Sequence, residues 1–195
     1  MKDTWYGDQR DIVKWGTLAH IAERESIQAI VQVPFLRYGT RHVLETDKGQ
    51  TTIPTEVWGF FRDVSAIKSL GERLGLQISV MIEPFEESNR ETYRETISLA
   101  LRQLSQRKIV LLDPDTGIAP NKAKAEHATV ADVQAAWQAL RDNDWLVLYQ
   151  HAYRRKDWVE DSRKRFAAAC GMREVELFRS PELAWDVVFF AVEKA

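Results

Sequence analysis

Arg173-Glu174-Val175-Glu176-Leu177-Phe178 and Trp185-Asp186-Val187-Val188-Phe189-Phe190-Ala191-Val192 are both strand-like, and only Arg179-Ser180-Pro181-Glu182-Leu183-Ala184 separates them. Parallel neighbours need a crossover of about a dozen residues or more, usually through a helix. The short link leaves no room for a helix, so the two segments are predicted to pair as an antiparallel β-hairpin. The chain before them behaves differently. Four apolar, β-branched runs at 27–33, 76–82, 108–113 and 145–150 alternate with stretches of helical periodicity at 11–25, 56–74, 90–106, from Thr129 to the Asp142-Asn143 break, and 157–170. The run at 108–113 is nearly all apolar and is expected at the centre. Helix 11–25 is expected to set Ile12, Trp15, Leu18, Ala19 and Ala22 on one stripe, and Gly171 stands where a helix C-cap is expected.

Strand–helix alternation implies right-handed crossovers and helices on both faces of a sheet. The expected fold is α/β: a three-layer, Rossmann-like, doubly wound and mostly parallel sheet with a C-terminal antiparallel β-hairpin, in one domain over 1–195. In such folds ligands bind at the carboxyl ends of the strands. The segments 38–55 and 116–128 are expected to be the least regular, and both follow strands, so either can rim a site.

Composition narrows the function classes. The chain of 195 residues is 45% hydrophobic and 29% charged, which argues against disorder as its main state. Its formal net charge of -2 supplies no global attraction to nucleic acid or anionic membrane, so a polyanion partner needs a local basic patch. Cys170, the single cysteine, excludes an internal disulfide framework and a cysteine-based zinc site. The first residues lack the apolar run of a signal peptide, and no stretch approaches the roughly 20 apolar residues of a membrane span. A soluble, cytoplasmic protein is expected.

The strongest functional signal is Leu111-Leu112-Asp113-Pro114-Asp115-Thr116-Gly117. A buried strand running into two acids sets carboxylates at the edge where α/β sheets place ligands, and Pro114 with Gly117 stiffens the turn. The same residues are also good turn formers. Strand 145–150 ends in Gln150-His151 and leads into Arg154 and Arg155, which suit a proton-transfer group and phosphate contacts respectively. Tyr6-Gly7-Asp8-Gln9-Arg10-Asp11-Ile12-Val13-Lys14 enters the first helix, with Asp8 or Asp11 placed to cap it and Lys14 one turn after Asp11. There is no G-x-G-x-x-G after the first strand, no P-loop and no G-x-S-x-G. Cys170 reads as a small buried side chain, and His20, His42 and His127 lack paired ligand spacing.

Two of these segments resemble the bacterial 23S ribosomal RNA adenine-N6 methyltransferases. Gly7, Asp11 and Lys14 match in register the family's N-terminal Gly-Asn-x-Ala-Asp-Val-Leu-Lys-His segment, and Leu112-Asp113-Pro114-Asp115 resembles its Asp-Pro-Pro-Tyr motif. A terminal strand hairpin also fits the S-adenosylmethionine-dependent methyltransferase fold. The G-D-x-x-D-x-x-K start, the D-P-D-x-G turn and the Y-Q-H-x-x-R element together are similar to a pattern in uncharacterised bacterial proteins. The resemblance implies S-adenosylmethionine as donor, Asp11 and Lys14 at its pocket, Asp113 against the acceptor amino group, and RNA or DNA as substrate. Where the family has a glycine-rich turn after its first strand, this chain has Val33-Pro34-Phe35-Leu36, and Pro114-Asp115 replaces the Pro-Tyr against which a flipped base stacks.

Three readings follow. In a methyltransferase-like transferase Asp113, Asp115 and His151 are the catalytic group, Asp11 and Lys14 bind cofactor, and Tyr6, Gln150, Arg154 and Arg155 bind substrate. In a metal-dependent hydrolase Asp113 and Asp115 hold Mg, and His151 handles a proton. In an inactive binding module the basic segment 154–165 contacts nucleic acid or protein.

Overall fold

The computed structural model describes residues 7–37, 43–47, 49–52, 54, 64–119 and 122–195. Tyr6, His42 and most of the first half of the helix expected at 56–74 lie outside them. In chain order the elements are α1 (Gln9–Arg24), β1 (Ala29–Val33), β2 (Val43–Thr46), β3 (Gly49–Thr52), a 3-10 turn (Val64–Ile67), α2 (Lys68–Leu74), β4 (Gln77–Val80), a 3-10 turn (Glu87–Asn89), α3 (Arg90–Gln103) and β5 (Lys108–Leu112). They continue with β6 (Gly117–Ile118), β7 (His127–Ala128), α4 (Val130–Ala139), β8 (Trp145–His151), α5 (Trp158–Cys170), β9 (Glu176–Phe178), α6 (Pro181–Ala184) and β10 (Val187–Glu193).

The central sheet runs β4-β1-β5-β8-β10-β9. Pairings of β1 with β4, β1 with β5 and β5 with β8 are parallel, whereas β10 is antiparallel to both β8 and β9. This is the Rossmann-like, mostly parallel sheet expected from the alternation. The hairpin is present, but its second strand does not add at the edge: β10 inserts between β8 and β9. Its link also contains the single helical turn α6, where no helix was expected. Pro181 begins that turn, a position where its missing N–H costs nothing and its fixed φ is already helical.

Alternation along the strands divides the core in two. Val31, Val33, Val110, Leu112, Leu146, Leu148, Val188 and Phe190 face α3, α4 and α5, meeting Ile97, Leu101, Val133, Ala136 and Phe166. Ile30, Ile109, Leu111, Val147, Val187 and Phe189 face α1, meeting Val13, Leu18, Ile21 and Ala22. β5 is buried throughout, as a central strand between two helical layers must be. The α1 stripe is rotated from the expected one: Trp15, Leu18 and Ala22 are buried, Ala19 is half-buried, and Ile12 is 60% exposed while Val13 and Ile21 are inside. Thr129 caps α4, and Gly171 ends α5 in the left-handed region at φ 68.

The two segments expected to be least regular both contain short strands. β2 and β3 pair antiparallel, and β6 and β7 pair parallel over two residues each. At two to four residues each, they are too short for a periodic pattern to announce them. Among the described residues no helix is long and apolar enough to cross a membrane.

Candidate functional site

The carboxyl ends of β5 and β8 and the start of α1 enclose a cavity of about 290 Å³. Its wall is formed by Asp8, Arg10, Asp11 and Lys14 from α1 and its cap, Asp113 to Thr116 from the turn after β5, and Tyr149 and His151 from β8. Strand alternation explains the last pair, because Tyr149 and His151 share the α1-facing side of β8 and Gln150 faces away.

Lys14 organises the floor. Its ammonium lies 2.7 Å from Asp11 Oδ1 and 2.9 Å from Asp113 Oδ2, with both its own side chain and that of Asp113 almost wholly buried. Gln32 Nε2, from β1, donates to the same Asp113 oxygen at 2.7 Å. Burial opposes the Lys14 charge, but the carboxylates of Asp113 and Asp11 outweigh it and hold the lysine above its ordinary value. Asp11 is itself fixed: it is the third residue of α1, reciprocating the Asp8 cap, and its Oδ2 accepts from the Gly7 N–H at 2.5 Å. The spacing of Asp11 and Lys14 therefore serves both helix capping and a buried ion pair.

A second cluster stands at the rim. His151 Nε2 lies 3.0 Å from Asp186 Oδ2, and His151 Nδ1 lies 2.9 Å from the Ala152 carbonyl. Arg10 reaches the same Asp186 oxygen at 2.5 Å and Asp8 Oδ2 at 2.9 Å. Burial is the largest single influence and acts against ionised Asp186, but the Arg10 hydrogen bond and the Arg10 charge, with smaller contributions from His151 and the backbone, together outweigh it and leave the acid below its ordinary value. Asp186 precedes β10, and an antiparallel strand starts at the edge where its parallel neighbours finish. That is why a residue so distant in sequence arrives here.

The expected site residues separate into two groups. Asp11, Lys14, Asp113, Asp115 and His151 come together on the cavity wall. Asp115 ion-pairs with Arg37. Gln150 is fully buried on the opposite side of β8; its Oε1 accepts from Ile118 N–H at 2.9 Å, and its Nε2 donates to the Thr116 and His151 carbonyls at 2.9 and 2.8 Å. It pins the turn after Asp115 to β8. Gly117, at φ 93, makes room for that amide: a Cβ there would stand 2.3 Å from Gln150 Oε1. Arg154 and Arg155 are exposed and absent from the wall, and Arg155 pairs with Asp157 at 2.7 Å. Farther along the basic segment, Arg165 pairs with Asp161 and Lys164 with Glu160, so that three of its six cations, Arg155 included, are paired with its own acids. Arg10, Tyr149, Asp186 and Arg37 complete the site and were not singled out from the sequence.

The turn after β1 lies apart from this cavity. Pro34, Phe35 and Leu36 are buried, and the Phe35 ring packs on Phe85 and Tyr93 at centroid distances of 5.2 and 5.5 Å. Among the described residues, no group of three or more His, Cys, Asp or Glu side chains is arranged to hold a metal ion.

No protein-family model matches the chain, and no curated protein matches it. Four chains of known structure do match. One is a DUF574 family protein from Streptomyces avermitilis MA-4680, 13% identical, with a TM-score of 0.43 over 96% of this chain and 82% of that one.

Proposed function

We propose that this is a methyltransferase-like protein whose cavity receives the amino group of a ligand at Asp113, with a nucleic-acid base as the ligand class that the sequence resemblance implies. The observation that carries the reading is the asymmetry of the Asp113 carboxylate. Oδ2 is held by Lys14 and Gln32, while Oδ1 has no hydrogen-bond partner among the described residues, and the residue lines the cavity. A fixed carboxylate oxygen facing a cavity accepts from an N–H donor. The charge balance agrees in one respect: the wall carries Asp8, Asp11, Asp113 and Asp115 against Arg10 and Lys14, which disfavours phosphate.

The residues present do not fit S-adenosylmethionine in the manner the resemblance implies. That manner needs open backbone after β1, and here Pro34, Phe35 and Leu36 cover it with their own side chains. A magnesium ion between Asp113 and Asp115 has less behind it, because each acid already has a cation, Lys14 and Arg37. Isothermal titration with adenosine, with S-adenosylmethionine and with either plus magnesium tests the reading. Adenosine binding that is independent of magnesium and weakened at least about tenfold by Asp113→Asn is expected. Unchanged binding in that variant overturns the reading.

A further inference from the structure

Among the described residues Tyr149 is the one Phe, Tyr or Trp side chain on the cavity wall, and it is 7% exposed. Its ring is immobilised from two sides, by an edge contact with Phe189 at 5.6 Å between centroids and by the Lys14 ammonium 5.5 Å from its centre. The same ammonium grips Asp113, so Lys14 fixes the tyrosine ring and the carboxylate relative to each other. Several other polar groups of the wall are committed: Thr116 Oγ1 donates to the Glu126 carbonyl and both oxygens of Asp11 are occupied, while Arg10 binds Asp8 and Asp186 through its two terminal nitrogens and keeps a buried, unpartnered Nε. The Tyr149 hydroxyl, like Asp113 Oδ1, has no hydrogen-bond partner among the described residues. Burial, followed by the Asp113 charge, raises its pKa, which keeps it protonated and able to donate.

We propose that Tyr149 determines specificity in this cavity: its hydroxyl donates to an acceptor atom on the same ligand edge whose amino group Asp113 receives, so that an aminated nitrogen heterocycle is selected over an aliphatic amine. The inference rests on the Asp113 reading and adds a second contact to it. A ligand bearing only an amine covers the hydroxyl without giving it a partner, and that loss is what discriminates.

Titration of the full chain with adenosine, with 1-deazaadenosine, which keeps the amino group and replaces the neighbouring ring nitrogen by CH, and with benzylamine tests this. Wild type is expected to bind adenosine about tenfold more tightly than 1-deazaadenosine, and Tyr149→Phe to bring the two within about twofold. Equal wild-type affinities overturn the inference even if the variant fails to fold, and so does a preference that survives in a folded Tyr149→Phe. Benzylamine binding that is lost in Asp113→Asn, with no adenosine binding, overturns the Tyr149 role and leaves the Asp113 reading standing. Binding of none of the three overturns both. The same edge occurs on a free nucleoside and on a nucleic-acid base. Displacement of adenosine by S-adenosylmethionine or by single-stranded oligoadenylate identifies the source, and either one supports the inference.

Discussion

The Lys14 ammonium lies 2.9 Å from the Asp113 carboxylate, with the two side chains only 4% and 2% exposed. Removing one partner of such a pair leaves a buried charge uncompensated, and here Lys14 serves two acids. Lys14→Met is expected to cost roughly 3–5 kcal/mol in urea unfolding. Asp113→Asn retains Asp11 as counter-charge and is expected to cost less. An equal or smaller loss for Lys14→Met would contradict this arrangement.

The same pair sets an alkaline limit. Lys14 is held above its ordinary 10.5 in the folded protein, so its stabilisation is fully present below that value and is lost as pH rises through the folded pKa. Unfolding free energy measured from pH 8 to 12 is expected to fall more steeply above about 10.4 in the wild type than in Lys14→Met.

At the acid end the sign reverses. Asp186 is held below its ordinary 3.8, so it stabilises above that pH and the contribution disappears as pH falls through the folded value. Asp186→Asn is expected to flatten the acid limb of the stability curve below pH 4 and to release Arg10 and His151 from a shared partner. Superimposable acid limbs would show that the rim cluster does not contribute.

Gly117→Ala meets two penalties, a positive φ and a clash with the Gln150 amide. A loss of roughly 2 kcal/mol or more in thermal unfolding is expected, accompanied by weaker adenosine binding because the acid turn is tethered through that amide. Gly16→Ala, with nothing within 4 Å of the added carbon, is the matched control and is expected to be neutral or stabilising.

Cys170 lies in α5 and is 5% exposed, and burial pushes its thiol up to about 12. Native protein at pH 8 is expected to resist a thiol reagent, with stoichiometric labelling only in urea. Rapid native labelling would mean that α5 opens locally.

Much of this was legible in the residues. The hairpin, the central strand and the acidic turn all followed from apolar runs broken by Pro and Gly, and five of the expected site residues share one cavity. What escaped notice has identifiable causes. Strand alternation places Tyr149 with His151 and sends Gln150 away, so the aromatic was readable from period two alone. Asp186 was recoverable from the antiparallel direction of its strand. Arg37 pairs with Asp115 across a connection whose course no local pattern encodes, and β6 and β7 are too short for periodicity to register. In the basic run 154–165, Asp157, Glu160 and Asp161 pair with three of the six cations, a pairing that a count of cations alone does not show.

The position of β10 orders events during synthesis. β9 leaves the ribosome first, yet among the described residues its only neighbour in the sheet is β10, and until that strand emerges β9 lacks this partner and β8 keeps an open edge. A nascent chain stopped between them presents an unpaired, apolar strand flank to other chains. Asp186 also arrives at this step, so the rim of the cavity is assembled by the same insertion that closes the sheet.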